Sequence, residues 1–275
     1  MKTIAARVPV LFALVTALVA MLCLSWPLAF TSWSIVTQAI IGRVGICIFA
    51  IAMLSALGWW GETGFVRPKS WRILLPYLPL FLLILVSKIS EINSLGIHIS
   101  DLNFILIGIF VYLAGGFMEE AVFRGLVLRT LLPQGLVRAA ILSSLIFAVV
   151  HFLNLAGGAN FTATVLQVVV AFLMGLAFVA PLAVTRNIWP LVIIHSLYNF
   201  IGYLTVGGIL NTSSTSQSPT LSQAVNALII PLILAIFSIW LLVRTQRKNR
   251  LGQVTVERSF ADERGAEANT STQHV

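Results

Sequence analysis

Eight stretches of the chain, 8–30, 37–60, 73–90, 102–131, 138–156, 161–183, 188–209 and 222–243, are almost unbroken apolar runs. A helix of about 20 mostly apolar residues crosses a bilayer, so the pattern predicts eight transmembrane helices. Short polar connections separate them. Residues 211–221 (Asn-Thr-Ser-Ser-Thr-Ser-Gln-Ser-Pro-Thr-Leu) read as a polar outer loop, and 245–275 as a polar tail of mixed charge, expected to be disordered. The expected division is therefore a transmembrane helical domain over 1–244 and a cytoplasmic tail over 245–275. The expected fold class is all-α: a polytopic membrane protein whose helices bundle around an intramembrane polar site. Lys2 and Arg7 before the first run resemble a signal peptide. That run continues through Leu22, Leu24 and Trp26 without a small-residue cleavage site, so it reads as a retained helix.

Composition agrees with the pattern. Of the 275 residues, 59% are hydrophobic and 9% charged, against about 45–50% and about 25% in soluble domains. A soluble enzyme, a nucleic-acid-binding domain and a disordered chain are excluded. The net charge of +8 then speaks for basic loops meeting anionic membrane lipid, with no nucleic-acid partner. With the N-terminus inside, all 17 Lys and Arg except Arg43, Lys88 and Arg124 fall on the cytoplasmic side. Arg43 and Lys88 are expected near the outer face. An even number of spans returns the basic tail to the cytoplasm, which predicts a plasma (inner) membrane protein with both termini cytoplasmic. Cys23 and Cys47 lie inside apolar runs and give no sign of a disulfide framework or metal cluster.

Few ionisable side chains interrupt the spans, and each costs about 2.5–3.5 kcal/mol at a helix centre, which marks them as functional candidates. The fourth span carries Glu119, Glu120 and Arg124, the fifth His151, and the seventh His195 with Asn199. Glu120 and Arg124 are four apart in the favourable order and share a helix face. Glu119 is rotated about 100° away, which leaves it freer to face a cavity. Phe147 with His151, and His195 with Asn199, share the same four-residue spacing. At about 1.5 Å per residue these groups lie roughly 11–20 Å from the span ends, compatible with one shared depth. Gly115, Gly116, Gly175 and Ala177 are expected to allow close helix packing.

Hydrolysis of a peptide bond needs a base for water, donors for the oxyanion and a proton for the leaving amine. A Glu helped by a His can take the proton, and a second His with an Asn amide can supply donors. The same side chains, Glu119, His151 and His195, could instead hold a divalent metal such as Zn2+ that activates the water. No HExxH motif is present, and no Ser or Cys stands in an evident nucleophile arrangement.

Glu119-Glu120-x-x-x-Arg124, Phe147-x-x-x-His151 and His195-x-x-x-Asn199, in this order on successive spans, resemble the EExxxR, FxxxH and HxxxN motifs of one family. It is the CPBP family of CAAX proteases and bacteriocin-processing enzymes, also called Abi. The resemblance centres on residues 101–205. It implies an intramembrane endopeptidase acting on a peptide or lipidated, CAAX-type protein substrate. By the family pattern Glu119 and His151 would activate water, His195 and Asn199 would stabilise the oxyanion, and Glu120 and Arg124 would order the site. Two other classes fit the buried polar groups. One is a proton-coupled transporter with a Glu/His relay, although no repeat signature is seen. The other is a non-catalytic membrane adaptor or immunity protein on the same scaffold.

Overall fold

The computed structural model describes residues 1–30, 32–208 and 218–271, with side chains in the last stretch described as far as residue 248. The described residues form helices and no strand. The spanning helices are α1 (Pro9–Ser25), α2 (Ile35–Leu57), α3 (Leu78–Leu95) and α4 (Leu102–Glu119). They continue with α5 (Leu136–Val149), α6 (Phe161–Thr185), α7 (Trp189–Val206) and α8 (Leu221–Ser271). A short helix, Lys2–Arg7, precedes α1. With their flanking turns, 8 segments are long and apolar enough to cross a membrane. The chain is an all-α integral membrane protein, as the apolar runs predict.

Local signals set the helix ends. Ser34, Asp101 and Asn160 cap α2, α4 and α6, their side-chain oxygens accepting from the backbone N–H three residues on. Gly58 ends α2 with φ +62°, a left-handed conformation that glycine adopts without steric cost. The last helix runs on through the polar stretch expected to be disordered, as far as Ser271. That stretch contains no proline and is rich in Arg, Gln, Glu and Ala, residues that accept a helical backbone readily. Most of the expected outer loop, residues 211–217, lies outside the described residues.

Helix α6 packs along α5 and α8, while α4 packs along α7. Small residues make these approaches possible. A Cβ on Gly116 would lie 2.1 Å from Ser196 Oγ and 2.9 Å from the Val192 carbonyl, and one on Gly175 would lie 2.8 Å from Ser144 Cβ. Without lipid-excluding water to drive association, such close van der Waals contact is what holds membrane helices together. The start of α7 is pinned separately. Ile188 N–H donates to the Gly64 carbonyl at 3.0 Å, Asn187 Nδ2 donates to the Val66 carbonyl at 2.9 Å, and Tyr77 Oη donates to the Asn187 carbonyl. His195 stands on the second turn of the helix that this junction fixes.

Candidate active site

Helix α4 does not continue as an α-helix through the charged motif. From Glu120 to Leu128 the backbone is π-helical, followed by Arg129–Leu131 and a 3₁₀ turn, Leu132–Gln134. The i→i+5 bonding of a π-helix widens the turn and is concentrated at functional sites. The 3.6-residue wheel used for Glu120 and Arg124 is therefore corrected here, although the two side chains still meet. Arg124 Nη1 lies 3.3 Å from Glu120 Oε1, with side-chain exposures of 1% and 0%. The charges touch without an aligned hydrogen bond, because none of the three guanidinium nitrogens has a hydrogen-bond partner among the described residues. Aromatic faces compensate. The guanidinium carbon sits 4.5 Å from the centre of the Phe147 ring and 5.2 Å from that of Phe178, each a cation–π contact.

Both rings also border His195, at centroid distances of 6.2 and 5.3 Å. The imidazole stands between the two carboxylates. Its Nδ1 lies 2.7 Å from Glu120 Oε1 and its Nε2 lies 3.4 Å from Glu119 Oε2. An ionised carboxylate only accepts, so Nδ1–H donates to Glu120 and Nε2 is the nitrogen left to act. Glu120 is wholly enclosed, whereas Glu119 keeps 21% of its side-chain surface. The two adjacent carboxylates thus differ as the rotation argument expects: one is packed behind the imidazole, the other reaches open space.

That space is a cavity of about 400 Å³, lined by Glu119, His151, His195 and Asn199. Residues Glu119, His151 and His195–Asn199 come from three different segments of the chain, after α4, α5 and α7 have been folded against one another. His151 lies just beyond α5, where the chain tightens into a 3₁₀ helix, Val150–Gly157. Tightening changes the carbonyl partners of the preceding turn, and His151 Nδ1 is 2.9 Å from the Phe147 carbonyl. A carbonyl accepts, so Nδ1 carries the hydrogen and the lone pair of His151 is on Nε2. Phe147, in turn, stands edge-on to the His151 ring at 5.0 Å. The Phe147-x-x-x-His151 pair is thus both a ring contact and a backbone anchor.

Two further charges lie in apolar helical segments long enough to cross a membrane: Arg43 in Ile35–Leu57 and Lys88 in Trp71–Leu95. Lys88 Nζ pairs with Glu91 Oε2 at 2.6 Å and sits 4.0 Å above the Tyr198 ring. Thr205 Oγ1 donates to the other oxygen of Glu91. Arg43 lines the same cavity as Glu119. The sequence signal for Lys88–Glu91 is two opposite charges three apart, which fall on either side of the end of the apolar run 73–90. Cys23 and Cys47 are free thiols.

Among the described residues no three His, Cys, Asp or Glu side chains converge as a metal-ion shell. In particular, His195 presents one nitrogen to each carboxylate, and His151 turns Nδ1 to a backbone carbonyl. Glu119, His151 and His195 line one cavity without forming a ligand set among the described residues.

The fold and the site define a polytopic membrane protein with a Glu/His/Asn cavity enclosed in its helix bundle. Residues 101–201 match the family model described as Type II CAAX prenyl endopeptidase Rce1-like. This segment holds every residue of the three motifs, so the match supports a likeness to the CPBP, or CAAX protease, family over the motif-bearing core. No curated protein and no solved structure gives a significant match to the chain.

Proposed function

We propose that the protein hydrolyses peptide bonds of membrane-associated or prenylated, CAAX-type substrates inside its helix bundle. The observation that carries this reading is the meeting of Glu119, His151, His195 and Asn199 at one cavity in a chain whose core matches a protease family. Glu119, the carboxylate with open surface, takes a proton from water, and His151 Nε2 orients that water with its lone pair. Attack on the scissile carbonyl places negative charge on its oxygen. His195 acts here as the imidazolium, which keeps Nδ1–H on Glu120 and donates Nε2–H, 3.4 Å from Glu119 and too far for a good hydrogen bond there, to the oxyanion; the Asn199 amide donates a second bond. Glu119 then returns the proton to the leaving amine. Glu120 and Arg124 are positioning residues: Glu120 fixes the His195 ring through Nδ1, and Arg124 balances Glu120.

Quenched peptides, including farnesylated CAAX-type sequences, offered to the purified protein in detergent test the reading. Wild type is expected to cleave at least one, and His151→Ala is expected to lose about 100-fold in rate, the low end for a lost acid–base partner. Chelators are expected to leave the rate unchanged, since the catalytic groups act on water directly. Loss of activity with chelator, restored by Zn2+, would contradict this mechanism.

The basic ends of the helices define the orientation we propose, with Arg67, Lys69, Arg72, Arg138 and Arg186 facing the cytoplasm of the plasma membrane. A reporter active only in the cytoplasm, fused after Val275, is expected to be active. Activity of a reporter restricted to the opposite side would reverse the assignment.

A further inference from the structure

Among the described residues, two pairs of opposite charges buried within the bundle are in contact. Glu120 has Arg124, and Lys88 has Glu91. Arg43 on α2 has no carboxylate at salt-bridge distance among the described residues. Its Nη1 donates to the Ala39 carbonyl at 3.3 Å, its guanidinium carbon is 5.7 Å from the centre of the Tyr112 ring, and its Nε is buried with no hydrogen-bond partner. A guanidinium offers five N–H donors in a planar fork suited to a carboxylate. One long bond to a backbone carbonyl leaves most of that capacity unused, in a protein region where each unsatisfied polar group is costly. The side chain lines the cavity, so an incoming ligand can reach it.

Its distance from the reacting groups can be measured along α4. A Cβ on Gly115 would lie 3.8 Å from Arg43 Nε, and Tyr112, the ring beside the guanidinium, is three residues earlier. Glu119 follows Gly115 by four residues and Tyr112 by seven. At about 1.5 Å per residue, the level of the guanidinium is therefore about 6–10.5 Å from that of Glu119 along the helix axis, toward the Leu102 end. An extended peptide covers about 3.3 Å per residue, so this interval holds about two to three residues.

We propose that Arg43 is a carboxylate-binding residue of the cavity, holding the terminal α-carboxylate of a peptide about two to three residues beyond the bond presented to Glu119. The placement of that bond rests on the proteolytic reading; the binding of a carboxylate at Arg43 does not. An acidic side chain would offer the same chemistry as a chain end, and the two are separable by experiment.

The test is the affinity of a fluorescent farnesylated peptide in three forms: with a free C-terminal acid, with a C-terminal amide, and as an amide ending in Glu. Anisotropy is measured with the full chain in detergent, for wild type and in the Glu119→Gln background, where the peptide persists. A charge-assisted contact of this kind corresponds to about a 10- to 100-fold preference for the acid over the plain amide. Arg43→Gln is expected to bring the acid down to the affinity of the amide, and Arg43→Lys to retain part of the preference. Equal binding of acid and amide by wild type overturns the proposal, and this comparison stands even if Arg43→Gln fails to fold. A preference that survives Arg43→Gln also overturns it. The Glu-ended amide matching the acid would assign Arg43 to a side chain and overturn the chain-end role. Acid preference without hydrolysis would sink the proteolytic reading alone, and hydrolysis without acid preference would sink the Arg43 proposal alone.

Discussion

Glu119→Gln is expected to lower peptide cleavage by about 10⁴-fold, the upper end for loss of a general base, while the protein remains folded. The substitution keeps the shape of the side chain and removes its capacity to take a proton. Little packing depends on it, because Glu119 retains open surface and its nearest charged contact, His195 Nε2, is 3.4 Å away. The thermal midpoint in detergent should therefore stay close to wild type, within about 0.5 kcal/mol of unfolding free energy. Measured side by side, rate and midpoint separate a chemical role from a structural one. A large fall in midpoint accompanying the fall in rate would assign Glu119 to the scaffold.

Arg124→Ala is expected to have the opposite signature, with stability falling first. Its side chain is 1% exposed, and Glu120 beneath it is 0% exposed. Truncation strands a buried carboxylate and empties the space between the Phe147 and Phe178 rings. Removing one partner of a buried pair costs about 3–5 kcal/mol, whereas replacing both by apolar groups is often neutral. The double variant Glu120→Met with Arg124→Met should accordingly recover much of the thermal midpoint lost by Arg124→Ala. It should remain inactive, because His195 Nδ1 no longer has the Glu120 oxygen that lies 2.7 Å from it. An Arg124→Ala protein as stable as wild type would mean that the pair contributes nothing to the fold.

Much of this architecture could be read from one chain because the bilayer imposes a simple rule. Segments must be apolar over their full length, so the drawn run 102–131 and the observed segment Leu102–Gln134 differ only at one end. The same rule exposed the site candidates, since Glu119, Glu120, Arg124, His151 and His195 are costly in such a place. It does not disclose what Lys88 and Arg43 face, because hydropathy reports that a charge is present and not which groups surround it. Only the packed helices reveal that Glu91 neutralises one and that the other faces the cavity. The π-helical turn was hidden for another reason. Glu-Ala-Val-Phe-Arg-Gly-Leu-Val-Leu contains mostly ordinary helix formers, and propensity does not distinguish i→i+4 from i→i+5 bonding. Nor does spacing disclose that His195 is gripped by Glu120 from behind, a contact between residues 75 positions apart. The freedom of Glu119 relative to Glu120, by contrast, followed from their adjacency alone.

Cleavage in isotopically labelled water tests the central claim most directly. Wild type and Glu119→Gln, each shown to be folded, are incubated in H₂¹⁸O with a peptide library that includes farnesylated CAAX-type sequences, and products are read by mass spectrometry. The account predicts new C-termini carrying one ¹⁸O with wild type and none above background with Glu119→Gln. Labelled products formed equally by both proteins would contradict Glu119 as the base, and a folded wild type that releases no labelled product would contradict hydrolysis in this cavity.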